Sequence, residues 1–371
     1  MFCVIVLMHE FGHFIIARMN HISVVEFSIG MGPCLCSFTR NGTRFAIRLL
    51  PIGGACMFEG EDGKYTNPPE EEEGGQQEET GEKEALASEE ESSFARNTDL
   101  DTTDLPFPKA PVWGRIATVF AGPFFNFILA FIGSMIIIGS YGVDIPKIQK
   151  LSEEGAAVEA GLQEGDLIRK LDGKKIHLYR QISLYSMLNR GEDVTIEYER
   201  DGKVGTVVVT PKYSPEAGRY YMGLMGVGSY EKFGILKTAQ YSFYEVGYWI
   251  ETVIKSLEQM LQGKVKKDDV AGPVGMAQMV NDVYTESKPD GLYYIWLNML
   301  NFCVLLSANL GVMNLLPFPA LDGGRLVFLF LEVLRGKPIP PEKEGVVHLI
   351  GMVCLMALMV FIFYNDLTKI F

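Results

Sequence analysis

Two histidines four residues apart bracket an acid in His9-Glu10-Phe11-Gly12-His13. In a helix of 3.6 residues per turn, that spacing projects both imidazoles from one face with about 6 Å of axial rise between them. Two imidazoles so placed can share one tetrahedral zinc ion. Glu10 points about 100° around the helix from His9, so it can face a water at the metal without being a ligand. Zinc lowers such a water's pKa to about 7, and Glu10 would take its proton as the oxygen attacks a peptide carbonyl. The pentad lies between the apolar runs VIVLM and FIIA. Ionisable groups in such surroundings are expensive and are usually kept for function.

A catalytic zinc needs a third protein ligand, with the fourth position left for water. Three other histidines exist: His21 just past the first apolar stretch, His177 in a polar region, and His348 at the opening of the last apolar stretch. Asp322, in Asn314-Leu315-Leu316-Pro317-Phe318-Pro319-Ala320-Leu321-Asp322-Gly323-Gly324, is the better candidate. His13 lies five residues before Arg18 and Asp322 three before Arg325. If both spans run from outside to inside, their depths agree within about two helical turns. Pro317 and Pro319 break the helix there, and exposed backbone at membrane depth is tolerated only inside protein or against water.

The elements that must position these residues are read from hydropathy. Pro111 to Tyr141, Tyr293 to Pro317 and Val346 to Tyr364 each reach the roughly 20 residues that cross a bilayer core. A fourth stretch, MFCVIVLMHEFGHFIIA, ends at Arg18; it reads as a span short of a few residues at its start. A signal peptide is the rival reading, but the stretch has no basic leader and no small-residue cleavage site. Arg18, Arg40, Arg44 and Arg48 follow the first span, Lys109 and Arg115 open the second, and Arg325, Arg335, Lys337 and Lys343 lie between the third and fourth. The positive-inside rule makes those loops cytoplasmic. The region from Tyr141 to Tyr293 and both termini are then expected outside.

The formal charge of −13 is mostly local: Glu70 to Glu91 holds eleven Glu and one Lys. Such a block repels itself and cannot bury a core, so it reads as a solvated, disordered insertion. No basic patch supports nucleic-acid binding. The six cysteines are scattered, three of them in apolar spans, and form no disulfide framework. Between the spans, Val194 to Arg200 alternates polar and apolar, turns at Asp201-Gly202 and returns through Gly205 to Thr210, a strong hairpin signal. Gly234 to Gly263 reads as an amphipathic helix with an aromatic stripe, more often a packing face than a site. Asn298, Asn301, Asn309 and Asn314 fall on the third span and Asn126 on the second. Buried amides there face either neighbouring helices or substrate.

HEFGH in a first span, the LPIGG segment, AGPFFNF opening a second span and NLLPFPALDGG in a third resemble the site-2 protease family, in its bacterial regulator of sigma-E protease type. The resemblance covers nearly the whole chain. It implies that His9, His13 and Asp322 are zinc ligands and Glu10 the catalytic base. It further implies that Asn314, Pro317 and Pro319 shape the substrate channel, with Gly53 and Gly54 of LPIGG also facing substrate. Thr43 to Met57 is similar to a membrane-dipping β-hairpin whose edge pairs with an unwound substrate. Glu153 to Pro211 is similar to the family's PDZ domain, a peptide binder by strand addition and, in this family, a size filter against intact ectodomains. AGPVGMAQM at Ala271 to Met279 also matches, without an evident chemical role. The Glu-rich insertion and the single PDZ-like unit depart from the family pattern.

The expected architecture is a multi-pass α-helical membrane protein with four transmembrane helices, a small cytoplasmic-side β-hairpin region and one inserted α+β PDZ domain. Its parts are a first span (1–20), the hairpin region (21–62), the acidic insertion (63–105), a second span (111–141), the PDZ domain (143–213), an amphipathic region with AGPVG (230–292), a third span (293–324) and a fourth (345–365). The expected function is intramembrane zinc-dependent proteolysis in a bacterial cytoplasmic membrane. Implied substrates are single-span proteins such as pre-trimmed anti-sigma factors, and remnant signal peptides. A catalytically silent PDZ scaffold is the alternative, against which the intact Glu10 argues; a transporter is disfavoured by the lack of repeated broken spans. Oligomeric state is not readable from the sequence.

Overall fold

The computed structural model describes residues 1–60, 104–153, 155–214, 219–225, 229–264 and 272–370. The acidic insertion, up to residue 103, therefore lies outside the described residues. Among the described residues, four helices are long and apolar enough to cross a membrane: Phe2–Met19, Val112–Tyr141, Leu292–Asn314 and Lys343–Thr368, with mean hydropathies of 1.5, 2.0, 1.6 and 2.7. The chain divides into two compact units.

The first unit comprises residues 1–129, 266–279 and 309–371. Helix α1 (Phe2–Met19) ends where His21 takes a left-handed φ of 54°. It leads into strands β1 (Val24–Arg40) and β2 (Thr43–Phe58), which form more than a hairpin. Residues 24–29 pair on one side with 44–47 and on the other with 54–58, while 34–40 pair with 43–48. The result is four rungs, with Gly54 to Phe58 as an outer one. Left-handed glycines at Gly30 and Gly53 (φ 90° and 84°) turn the chain between rungs, a conformation open to glycine at no steric cost.

Helix α2 (Val112–Tyr141) carries Pro123 in its interior. Its Ile116 and Val119 form a core with Leu326 and Leu329 of a shorter helix, Asp322–Arg335. Arg115 and Glu332 join the same pair of helices through a bidentate ion pair. That shorter helix opens on an acid at the positive end of its dipole and closes on Gly336 in the left-handed conformation, the usual C-terminal stop. The long helix Pro341–Ile370 supplies buried Asp366, whose carboxylate accepts backbone N–H groups of Gly272, Val274 and Gly275. Gly272-Pro273-Val274-Gly275 thus opens the helix Pro273–Ser287, capped by a carboxylate from far along the chain, which satisfies donors that the helix itself leaves orphaned.

The second unit comprises residues 130–265 and 280–308. Its core gathers Ile148, Leu162, Ile168, Leu171, Ile182, Val194, Ile196, Val209 and Met222. Around it run β3 (Val143–Ile145), β4 (Lys150–Leu151), the turn of helix α3 (Ala156–Glu159), β5 (Leu167–Leu171), β6 (Lys174–Lys175), α4 (Tyr179–Leu188), β7 (Val194–Arg200) and β8 (Lys203–Val209). Strands 6, 5, 7 and 8 form an antiparallel sheet in that order, with β7 and β8 joined at Asp201-Gly202 as their alternation predicts. Pairing then continues past residue 213. β9 (Lys212–Ser214) pairs with β10 (Arg219–Tyr221), β11 (Leu224–Met225) joins β4, and β12 (Ser229–Glu231) joins β3, so the strand pairing ends only at Glu231. Strands of two or three residues carry too few alternations for a period-two pattern to register.

The helix α5 (Ile235–Leu261) is tied to α4 by a buried cluster. Arg180 pairs with Asp144 through Nε and with Glu245 through Nη1, at 3.1 and 2.6 Å, and Trp249 donates to Glu245. Burial alone would lower the Arg180 pKa, but Glu245 and Asp144 hold it above its ordinary value. Burial pushes Glu245 up, against the pull of Arg180. The remaining helices take the labels α6 (Pro273–Ser287), α7 (Leu292–Asn314), α8 (Asp322–Arg335) and α9 (Pro341–Ile370).

Candidate metal centre

His9 and His13 leave one face of α1, as an i, i+4 pair must, and both are buried. Asp322 arrives at the start of α8, after the loop 315–321. His9 Nε2 lies 3.1 Å and His13 Nε2 3.5 Å from Asp322 Oδ2, and the two imidazole nitrogens lie 3.2 Å apart. Bond lengths of 2.0–2.1 Å to zinc put neighbouring ligands of a tetrahedron about 3.3–3.4 Å apart. These separations match that geometry. Among the described residues this trio is the one cluster of His, Cys, Asp and Glu that could hold a metal ion.

Proton positions make the same point. His13 Nδ1 is 2.8 Å from the Thr118 carbonyl, which can only accept, so Nδ1–H donates and, in the neutral ring that a metal needs, Nε2 keeps its lone pair. That lone pair faces the Asp322 carboxylate, and Oδ2 is buried without a hydrogen bond. Two acceptors held together in a buried place repel unless a cation stands between them. Asn126 Nδ2 lies 3.2 Å from His9 Nδ1, and a flip of the amide exchanges its nitrogen for its oxygen at that place. With its amide oxygen turned toward an Nδ1–H, His9 also offers Nε2 inward. Partners of this kind fix the tautomer of metal-bound histidines.

Two glycines make the packing feasible. A Cβ on Gly122 would lie 2.2 Å from His13 Nε2, and one on Gly12 would lie 2.5 Å from the Ala121 carbonyl oxygen. Gly12, inside the HEFGH pentad, lets α1 meet α2 at backbone distance. Gly122, opening AGPFFNF's GPF, leaves the space that the His13 ring fills. Neither role shows in the sequence, because the partner lies over a hundred residues away. Thr118 could not have been found at all, since any residue offers a carbonyl.

The expected substrate-facing residues lie close by. Asn314 Nδ2 is 3.5 Å from His9 Nε2. A Cβ on Gly54 would come within 2.9 Å of Glu10 Cγ, and the backbone of Cys56 hydrogen-bonds the Glu10 carboxyl. The outer rung of the sheet thus runs past the acid. Pro317 and Pro319 lie in the loop that delivers Asp322. The other histidines stand apart from this cluster: His21 faces Asp104 at 3.6 Å, His177 stacks on Tyr244 at 3.8 Å, and His348 Nδ1 accepts the Ala320 N–H.

The sequence profile of peptidase family M50 matches residues 1–358. The chain belongs to peptidase family M50. It is 32% identical to the zinc metalloprotease RasP of Geobacillus kaustophilus, over 100% of this chain and 96% of that protein. It is likewise 32% identical to the regulator of sigma-W protease RasP of Bacillus subtilis, over 100% and 97%. The zinc metalloprotease RasP of Bacillus licheniformis is 34% identical, again over 100% and 97%. A solved PDZ domain of an SdrC-like protein from Listeria monocytogenes is similar at 21% identity, covering 23% of this chain and 85% of that one with a TM-score of 0.20. This M50 protein is a metalloprotease with helices of membrane-crossing length.

Proposed function

We propose that this M50 metalloprotease hydrolyses peptide bonds within transmembrane segments of single-span proteins, with zinc held by His9, His13 and Asp322 and with Glu10 as general base. The observation that carries the reading is the trio of donors 3.1–3.5 Å apart, set on and beside helices of membrane-crossing length. When bound, zinc supplies Lewis acidity to a water and to the scissile carbonyl. Glu10 takes the proton of the attacking water and hands it to the departing amide nitrogen. Thr118 and Asn126 hold the two imidazoles in the tautomer that directs Nε2 inward. A transmembrane helix hides its peptide bonds, so substrate must be extended before attack. The outer rung at Gly53 to Phe58, beside Glu10, offers main-chain groups to such a strand. Asn314, Pro317 and Pro319 border the same place.

The second unit serves as a PDZ domain that binds or excludes extracytoplasmic peptide. Supporting this is a cleft of about 350 Å³ lined by Ser152, Tyr179, Ile182, Ser183, Tyr221 and Leu224 among others, between α4 and the short strands. That domain and both termini lie outside the bacterial cytoplasmic membrane, with the acidic segment inside, as the distribution of basic residues indicates. Pre-trimmed anti-sigma factors suit this arrangement, in line with the sigma-W relative.

The test is a reconstituted transmembrane peptide with metal analysis. Glu10→Gln should keep one zinc per chain and lose cleavage by about 10²–10⁴-fold, the range for general acid–base catalysis. Asp322→Ala should lose the metal. Full cleavage by the Glu10 variant sinks the mechanism, and retained zinc in the Asp322 variant removes that ligand.

A further inference from the structure

Asp322 is delivered by a loop that leaves α7 at Asn314 and re-enters helix at residue 322. Both ends of the loop are packed without slack. A Cβ on Gly323 would meet the Leu316 carbonyl oxygen at 2.1 Å, and one on Gly324 would meet that of Phe318 at 2.5 Å. The loop is therefore pressed onto the first turn of α8. On its other side lies α9, where a Cβ on Gly351 would come within 2.4 Å of Pro319. Between these contacts Ala320 adopts φ 76°, a left-handed conformation that an L-residue with a Cβ resists. Something must hold it there. One turn before Gly351, His348 Nδ1 stands 2.9 Å from the Ala320 nitrogen and accepts its N–H. The imidazole is fixed in turn against Phe328 of α8, at 5.7 Å between centroids.

We propose that His348 is a positioning residue for the metal centre: by accepting the Ala320 N–H it holds the loop in the one conformation that presents Asp322 to His9 and His13. The inference rests on Asp322 being a zinc ligand. His348 is not a member of the ligand trio, and its Nε2 faces Glu344 of its own helix at 3.7 Å. Its role needs only an acceptor at the Nδ1 position. Asn offers one there, with its side-chain oxygen about as far from the backbone, whereas Leu fills similar space and offers none.

The experiment compares zinc affinity by chelator competition, together with kcat and KM, in the purified full chain. His348→Leu should weaken zinc by about tenfold, the low end for residues that orient ligands, with KM unchanged and lost kcat recovered by added zinc. His348→Asn should stay within about threefold of wild type. Ala320→Gly, which removes the conformational resistance, should restore most of the zinc affinity of His348→Leu. If the Leu variant does not fold, the Asn variant and Ala320→Gly combined with His348→Leu still decide the matter. Equal loss in the Asn and Leu variants overturns the proposal. So does wild-type zinc affinity in the Leu variant while Asp322→Ala loses metal. Zinc retained by Asp322→Ala would instead fault the ligand assignment beneath it.

Discussion

Gly122→Ala puts a single methyl group into the space that His13 occupies. The added Cβ would stand 2.2 Å from Nε2 and 2.5 Å from Cε1, where ordinary contact begins at 3.4 Å. The ring must therefore withdraw by more than 1 Å. His13 has little freedom to do so, because Nδ1–H donates to the Thr118 carbonyl at 2.8 Å, on the same helix as the new methyl. Either that hydrogen bond breaks or α1 and α2 move apart, which Gly12 against Ala121 makes costly. Disturbing a ligand's supporting partner lowers metal affinity by about 10–100-fold, equivalent to about 1.4–2.8 kcal/mol. Overpacking in a tight interior costs a similar 1–3 kcal/mol in stability. Gly139 of the same helix is the control: a Cβ there meets nothing within 4 Å, so Gly139→Ala should be neutral or stabilise by about 0.5–1 kcal/mol. The assay is zinc affinity by chelator competition alongside thermal unfolding in detergent. The reasoning is refuted if Gly122→Ala binds zinc as wild type does, or if both alanine variants lose affinity equally.

Other expectations follow from the same contacts. Asn126→Ala should weaken zinc by about 10–100-fold while Asn126→Asp retains it, since a carboxylate also accepts from Nδ1–H; equal loss in the two would show that Asn126 does not orient His9. Gly12→Ala should destabilise the fold by about 1–3 kcal/mol, read as a lower unfolding temperature with zinc saturating. Arg180→Met strips the partner from buried Asp144 and Glu245, which should cost about 3–5 kcal/mol, read by hydrogen exchange across residues 143–231. That cost should also depend on pH. Burial already raises Glu245 and Arg180 opposes it, so without the arginine its folded-state pKa rises further above the unfolded value. Stability is then highest below the ordinary carboxylate range and falls as pH climbs through the raised pKa. The variant should be closest to wild type on the acid side and fall further behind as pH rises; a pH-independent difference would assign the loss to packing alone.

What was legible in the sequence was what repeats or acts locally. A four-residue spacing sets two imidazoles on one helix face whatever surrounds them, and twenty apolar residues in a row state a length and a solvent. An Asp-Gly between alternating runs closes a hairpin by its own backbone preferences. Asp322 could be reached as a candidate because depth in a bilayer is a coordinate that sequence carries. The other parts of the centre had no such coordinate. Thr118 acts through a carbonyl that every residue owns. Gly12 and Gly122 matter for atoms they lack, opposite partners more than a hundred residues away. His348 was visible as a histidine, yet its ring accepts the Ala320 N–H and takes no part in the trio of His9, His13 and Asp322. The same limit hid the strands between residues 214 and 231, each too short to show a period. Sequence spacing reports angles around one helix and distances along one chain. Which groups meet within 3.5 Å across separate helices is settled only when side chains of particular volume pack, because the contacts that fix a tautomer or seat a carboxylate are steric and directional at a scale finer than any pattern of residue types.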